Sequence, residues 1–394
     1  MAFLRAIPRF SPRSRTRPVR GPLLLVSVVL AIGLAATRGS ARAFEDAARA
    51  AQPAAGKSPK DDYLGTTACS VCHAGIAEKF SGTSMGRSMS VITPELLRAI
   101  PSKASLHDEK QDRSFEVYVQ DGKLYQSEFQ TGPNQQEIFR DTRRLDWILG
   151  SGANGMGGLV QKEGYLFQAP LSFYSKPRTW GLSPGYEFGD YGFNRPILAG
   201  CIFCHSGRSR PIAATNGRYE NDPFAEMAIG CENCHGPGAA HRTAVLAGAN
   251  RSNGKNLHIV DPSRLSPALT NNLCMSCHQT GDVRVLRPGK TYQDFRPGQP
   301  LDDTLSILME PATPASPPQN DHLEHYYSMT LSKCYRSSGG HMSCITCHDP
   351  HVEPAPEAAP AFFAQRCLTC HRENSCRLPL ESRRQTNPPD NCAR

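Results

Sequence analysis

"CITCHDPH", residues 344–351, sets two cysteines three positions apart, a histidine directly behind the second, and another histidine three residues further on. A single Cys-x-x-Cys pair serves zinc and thiol redox sites equally well. The full Cys-x-x-Cys-His pattern, however, occurs six times: Cys69/Cys72/His73, Cys201/Cys204/His205, Cys231/Cys234/His235, Cys274/Cys277/His278, Cys344/Cys347/His348 and Cys367/Cys370/His371. These are called motifs 1 to 6 below. They take twelve of the fifteen cysteines, and each ends in histidine. This is the attachment signature of c-type haem, so six haem c groups are expected.

The spacing follows from the chemistry. Two thiols on one tight turn both reach the vinyl groups along one porphyrin edge and form two thioethers. The histidine that follows is carried beneath the ring, where its imidazole binds iron as the proximal ligand. Porphyrins also account for an apolar content of only 39%, since each supplies a large flat hydrophobic surface.

The opposite axial position decides between carrying electrons and binding a small molecule. Seven histidines lie outside the motifs: His107, His241, His258, His322, His325, His341 and His351. His351 and His241 follow the proximal His348 and His235 so closely that neither easily rounds the edge of its own ring. Each is expected on the far face of a neighbouring haem. His322 and His325 share a face of a short helix, with His325 the expected ligand and His322 solvated or bonded to a propionate. His107, remote from every motif, is a further candidate ligand; His258 and His341 read as surface residues. Met85 and Met89 follow motif 1 and read as core packing rather than thioether ligands.

The formal charge of +8 is carried by eight arginines within residues 1–43, so the rest of the chain is neutral and gives no argument for nucleic acid. That segment has a basic lead, an apolar run over 23–36 and Ala41-Arg42-Ala43 as a cleavage site, the form of a secretory signal peptide. The apolar run is shorter than the roughly 20 residues a membrane span needs, so no span is expected after cleavage. Haem attachment outside the cytoplasm fits a periplasmic or otherwise exported bacterial protein.

Residues 44–62 read as a flexible tether, 63–103 as a first haem-binding segment, and 104–198 as a motif-free insert. Positions 115–193 hold 15 of the 30 aromatic residues, and runs on either side of Asp121-Gly122 and Glu163-Gly164 alternate in polarity. The expectation is a small antiparallel β-rich insert with an aromatic core. Residues 199–394 read as a haem array of coil and short α-helices around stacked haems. Cys392 follows Cys367 at almost the interval that separates Cys344 from Cys367, so a further, truncated motif is expected there, giving a seventh haem in a longer chain. Cys334 and Cys376 are left for a disulfide.

The motif order, with "GCENCHGPGAAH", "VDPSRLSP", "RPGQPLDD" and "CITCHDPH", resembles exported multihaem c-type cytochromes related to the tetrahaem cytochrome of ammonia oxidisers and to hydroxylamine oxidoreductase, in a branch often fused to tetratricopeptide repeats. The resemblance implies haems in alternating parallel and perpendicular pairs, mostly with two histidine ligands. Met85, Met89 and Met156 stand where relatives often carry histidine, which leaves the sixth ligand of at least one haem open. Electron transfer among redox partner proteins, including membrane-associated ones, is the first functional reading. A multihaem oxidoreductase acting on a small nitrogen or sulfur species at one open haem is the second. A haem module of a partner-docking protein with C-terminal repeats is the third.

Overall fold

The computed structural model describes residues 62–250, 256–309, 324–372 and 379–385. Its N-terminal half is dominated by β-structure whose turns are written locally. Asp121 and Gly122 both adopt positive φ, 50° and 69°, as do Glu163 and Gly164, 53° and 80°. Such two-residue turns match the twist of paired strands. They join β3 (Arg113–Gln120) to β4 (Lys123–Thr131) and β7 (Gly155–Lys162) to β8 (Tyr165–Tyr174), with Gln120 opposite Lys123 and Lys162 opposite Tyr165.

Two antiparallel sheets result. One is the meander β2 (Lys103–Asp108), β3, β4 and β5 (Glu137–Arg144). The other has six strands in the order β1 (Met89–Val91), β6 (Trp147–Leu149), β7, β8 and β10 (Arg195–Pro196), with β9 (Thr179–Leu182) also paired to β8. The β-region is thus larger than the expected insert, because β1 lies ahead of residue 104 and pairs Met89 with Leu149.

Alternation along the strands turns one face of each sheet inward. Phe115, Val117 and Leu124 from the meander meet Ile148, Leu171, Phe173 and Trp180 in one buried cluster. Each such side chain contributes on the order of 1.5–3 kcal/mol. Gln126, 1% exposed, sits among them with its polar atoms satisfied: its amide donates to the Leu171 carbonyl (2.8 Å) and accepts from the Leu171 N–H (3.0 Å). A side chain from one sheet thereby completes the backbone bonding of the other.

The haem-motif segments are short helices: α1 (Thr66–Ser70), α2 (Ala74–Ser81), α3 (Pro94–Ala99), α4 (Ala199–Phe203), α5 (Cys231–His235), α6 (Ala239–Leu246), α7 (Pro267–His278), α8 (His325–Leu331), α9 (Lys333–Ser337), α10 (Cys344–Cys347) and α11 (Ala359–Cys367). Only α7 reaches three turns. It begins with the Ser266 hydroxyl accepting from the Leu269 N–H and with proline in its first turn, two standard start signals. Two hairpins lie between the motifs, β11 (Arg208–Pro211) with β12 (Tyr219–Glu226) and β13 (Val283–Leu286) with β14 (Leu305–Leu308).

Buried polar side chains tie the two halves together. The Ser88 hydroxyl, just before β1, donates to the His205 carbonyl (2.7 Å) and accepts from the Ile229 N–H (3.0 Å). Glu232, inside motif 3 and 3% exposed, accepts from the N–H groups of Leu64, Gly65 and Gly238 at 2.7–3.1 Å. An otherwise costly buried carboxylate is thus satisfied, and the segment leading into motif 1 is fixed on motif 3.

Candidate haem-binding site

Each motif closes one helical turn. His73, His348 and His371 donate their N–H groups to the carbonyls of Cys69, Cys344 and Cys367 at 3.0, 3.0 and 2.9 Å. That turn keeps both cysteines and the histidine on one local surface. The thirteen described cysteines carry no disulfide, while Cys376 and Cys392 lie outside the described residues.

Three motif histidines face a second imidazole. His73 lies against His241, with centroids 6.4 Å apart and planes 21° apart. His235 lies against His351 at 6.0 Å and 15°, and His278 against His325 at 5.2 Å and 15°. Two imidazoles bound to opposite sides of one metal, each through a nitrogen bond of about 2 Å, have centroids roughly 6 Å apart. Among the described residues no three His, Cys, Asp or Glu side chains converge on a metal-sized point. The imidazoles therefore come as near-parallel pairs, at a spacing that suits an iron whose other four positions a porphyrin would fill.

Local structure positions each partner. His241 rides on α6 and donates from Nδ1 to the Leu257 carbonyl (2.8 Å); His235 does the same to Val260 (2.8 Å). A carbonyl only accepts, so the proton sits on Nδ1 and the Nε2 lone pair is free for a metal. His351 is set by Asp349, whose carboxylate accepts its backbone N–H at 3.0 Å in a turn through Pro350. His325 opens α8 directly after Glu324, which is held by Gln279, Thr280 and the Gly281 N–H just beyond His278. Burial pushes the imidazoles of His205, His235, His278 and His348 below their ordinary pKa. The neutral form is the one that binds metal.

His241 thus meets motif 1 rather than its own motif 3, and His351 meets motif 3 rather than its own motif 5. His107 is placed differently from the expectation. It stands exposed on β2, opposite Ser114, and its Nδ1 bonds the Ser114 hydroxyl (3.0 Å). Strand alternation held the signal: Ala104 and Leu106 turn toward the core, which sends His107 outward. His258 and His341 are exposed, and His322 lies outside the described residues. Met89 is buried with Leu159 and Leu166, and Met156 packs against the inter-sheet core. His348 meets the Phe363 ring edge at 5.4 Å.

Thiols of different motifs also touch. Cys277 donates to Cys204, which this bond and then Arg284 hold down to about 7 while Cys277 is pushed well up. The Cys69 thiol is pushed up to about 12, first by burial and then by Cys231. Beside Cys204 the buried Nε of Arg284 has no hydrogen-bond partner among the described residues. It is a cationic donor suited to a group that brings acidic oxygens. These features fit covalently attached haem c.

No protein-family model matches the chain. It is 22% identical over 195 residues to the multiheme cytochrome MtrA of Shewanella baltica, covering 48% of this chain and 56% of that protein. It is also 28% identical over 172 residues to a tRNA-2-methylthio-N(6)-dimethylallyladenosine synthase of Geotalea uraniireducens, covering 42% of this chain and 33% of that one. Only the first name accounts for six Cys-x-x-Cys-His motifs. The motifs and the first relative agree on a multihaem c-type cytochrome. The chain spans about half the length of that relative and a third of the other. The crystal structure of the outer cell wall cytochrome OcwA superposes over 81% of this chain with a TM-score of 0.44 and 17% identity. Among the described residues no helix is long and apolar enough to cross a membrane.

Proposed function

We propose that this chain is an exported electron-transfer protein that holds six haem c groups and exchanges electrons with redox partner proteins outside the cytoplasm. The observation that carries the reading is the set of three opposed imidazole pairs, each joining a motif histidine to a histidine outside the motifs. Bound there, haem supplies a one-electron iron couple.

The twelve motif cysteines hold the six groups as thioethers, with His73, His205, His235, His278, His348 and His371 as proximal ligands. His241, His351 and His325 would supply the second imidazole to the iron held at motifs 1, 3 and 4. The carbonyls of Leu257 and Val260 fix the tautomer and angle of two of these rings and raise their basicity. Ligands held on both sides favour electron transfer over substrate binding at those three sites.

Expression with a haem-maturation system tests the reading. Intact mass should show six covalent haems, and electron paramagnetic resonance of the oxidised protein should show His241→Ala, His351→Ala and His325→Ala each converting one low-spin haem to high spin. A mass short of six haems, or three variants with unchanged spectra, would defeat it.

A further inference from the structure

The six motifs do not follow one another in space as they do in sequence. Motif 3 packs on motif 4, since Cys234 lies against the cluster that contains Leu273 and Met275 of α7. Motif 4 packs on motif 5 through Asn271, whose side-chain oxygen accepts from the Cys344 N–H (3.0 Å) and thiol (3.3 Å). Motif 5 closes on motif 3 through the His351–His235 pair. These three contacts form a closed triangle.

Each remaining motif packs against this triangle from outside. Motif 1 meets motif 3: the Cys231 N–H donates to the Thr66 hydroxyl (3.2 Å), and His73 faces His241. Motif 2 meets motif 4, where Arg284 donates to both the Ser276 carbonyl (2.6 Å) and the Cys204 sulfur (3.8 Å). Motif 6 meets motif 5 through Phe363 of α11 against His348 (5.4 Å) and Arg366 beside Asp349 (3.8 Å). Further contacts cross these lines: the side-chain amide of Asn233, inside motif 3, donates to the Gly207 carbonyl just past motif 2 (2.9 Å), Phe80 past motif 1 meets the His351 ring edge, and Arg208 lies over the Tyr63 ring.

Exposure gives an independent division along the same line. The exposed motif cysteines are Cys72, Cys201 and Cys370, one in each of motifs 1, 2 and 6; those of motifs 3, 4 and 5 are all partly buried.

We infer that the attachment sites form a three-armed junction, with motifs 3, 4 and 5 as an inner hub and motifs 1, 2 and 6 as separate surface terminals, each a contact point for a redox partner. A junction of this kind joins three partners, where a two-ended wire joins two. The inference rests on the reading of the motifs as haem sites and adds their connectivity.

The test uses redox interaction between neighbouring haems. His73→Met, His205→Met and His371→Met keep both thioethers while raising one haem's potential. In spectropotentiometric titrations of the holoprotein, the shifts from any two of these arm variants should add. The arm–hub pairs His73→Met/His235→Met, His205→Met/His278→Met and His371→Met/His348→Met should not. If a methionine variant fails to attach haem, the Cys→Ala pair of that motif replaces it and the same additivity is read on five haems.

Non-additivity between His73→Met and His205→Met, as expected for neighbours in a sequential wire, would overturn the junction. So would additivity in all three arm–hub pairs. A wild-type mass without six haems would instead defeat the underlying reading.

Discussion

The ring of His351 lies 6.0 Å from that of His235 and within 15° of parallel, although the two belong to motif segments separated by the whole of motif 4. Asp349 holds one through its backbone and the Val260 carbonyl holds the other through Nδ1. His107 has no such setting. His351→Ala should therefore convert one haem to high spin in the electron paramagnetic resonance spectrum, while His107→Ala leaves the spectrum as in the wild type.

Glu232 accepts from three backbone N–H groups, two of them on the segment entering motif 1. Bonds to a charged acceptor each contribute about 1.5–3 kcal/mol. Glu232→Ala should release residues 62–66, and limited proteolysis should then cut ahead of Cys69 faster than in the wild type. Unchanged cleavage would show that other contacts hold the segment.

Gln126 matters for the opposite reason, because it carries no charge and still cannot be made apolar. Gln126→Leu keeps the volume and strands the N–H and C=O of Leu171 in the inter-sheet core. Each unsatisfied group costs about 1–3 kcal/mol. The denaturation midpoint should fall accordingly, while Gln126→Glu at low pH, where the carboxylic acid both donates and accepts, should recover part of the loss.

Glu128 gives the sandwich a pH dependence. It is 3% exposed, and burial and then the neighbouring Asp190 push its carboxyl up to about 7, against a smaller opposing pull from Arg113; Asp141 adds to the rise. The folded state then keeps a proton that the unfolded chain loses near pH 4.3. Stability contributed by this group is present below about pH 4 and is lost as pH rises through 7. Denaturant midpoints for Glu128→Gln should lack this fall and exceed those of the wild type at pH 8.

What the sequence made legible was local. Asp121-Gly122 and Glu163-Gly164 announce their hairpins because positive φ at both turn positions is a property of two adjacent residues. The motifs are equally local, since one turn carries all three attaching side chains. The near neighbours His241 and His351 were readable as partners of another motif's histidine, because a short tether limits reach. Which motif each would meet depends on packing far along the chain, as does the pairing of β1 with β6 that buries Met89. His107 was misplaced for a simpler reason: its distance from the motifs was weighed, and the alternation of its own strand was not.

In all three ring pairs the partner histidine comes later in the chain than the motif histidine it faces. A chain that crosses a membrane N-terminus first presents its domains in that order. Exported as proposed above, this chain would present His73 long before His241, and His235 before His351. Maturation in such a protein runs on two clocks: anchoring can keep pace with translocation, while completion of each coordination sphere lags by the length of chain still to arrive.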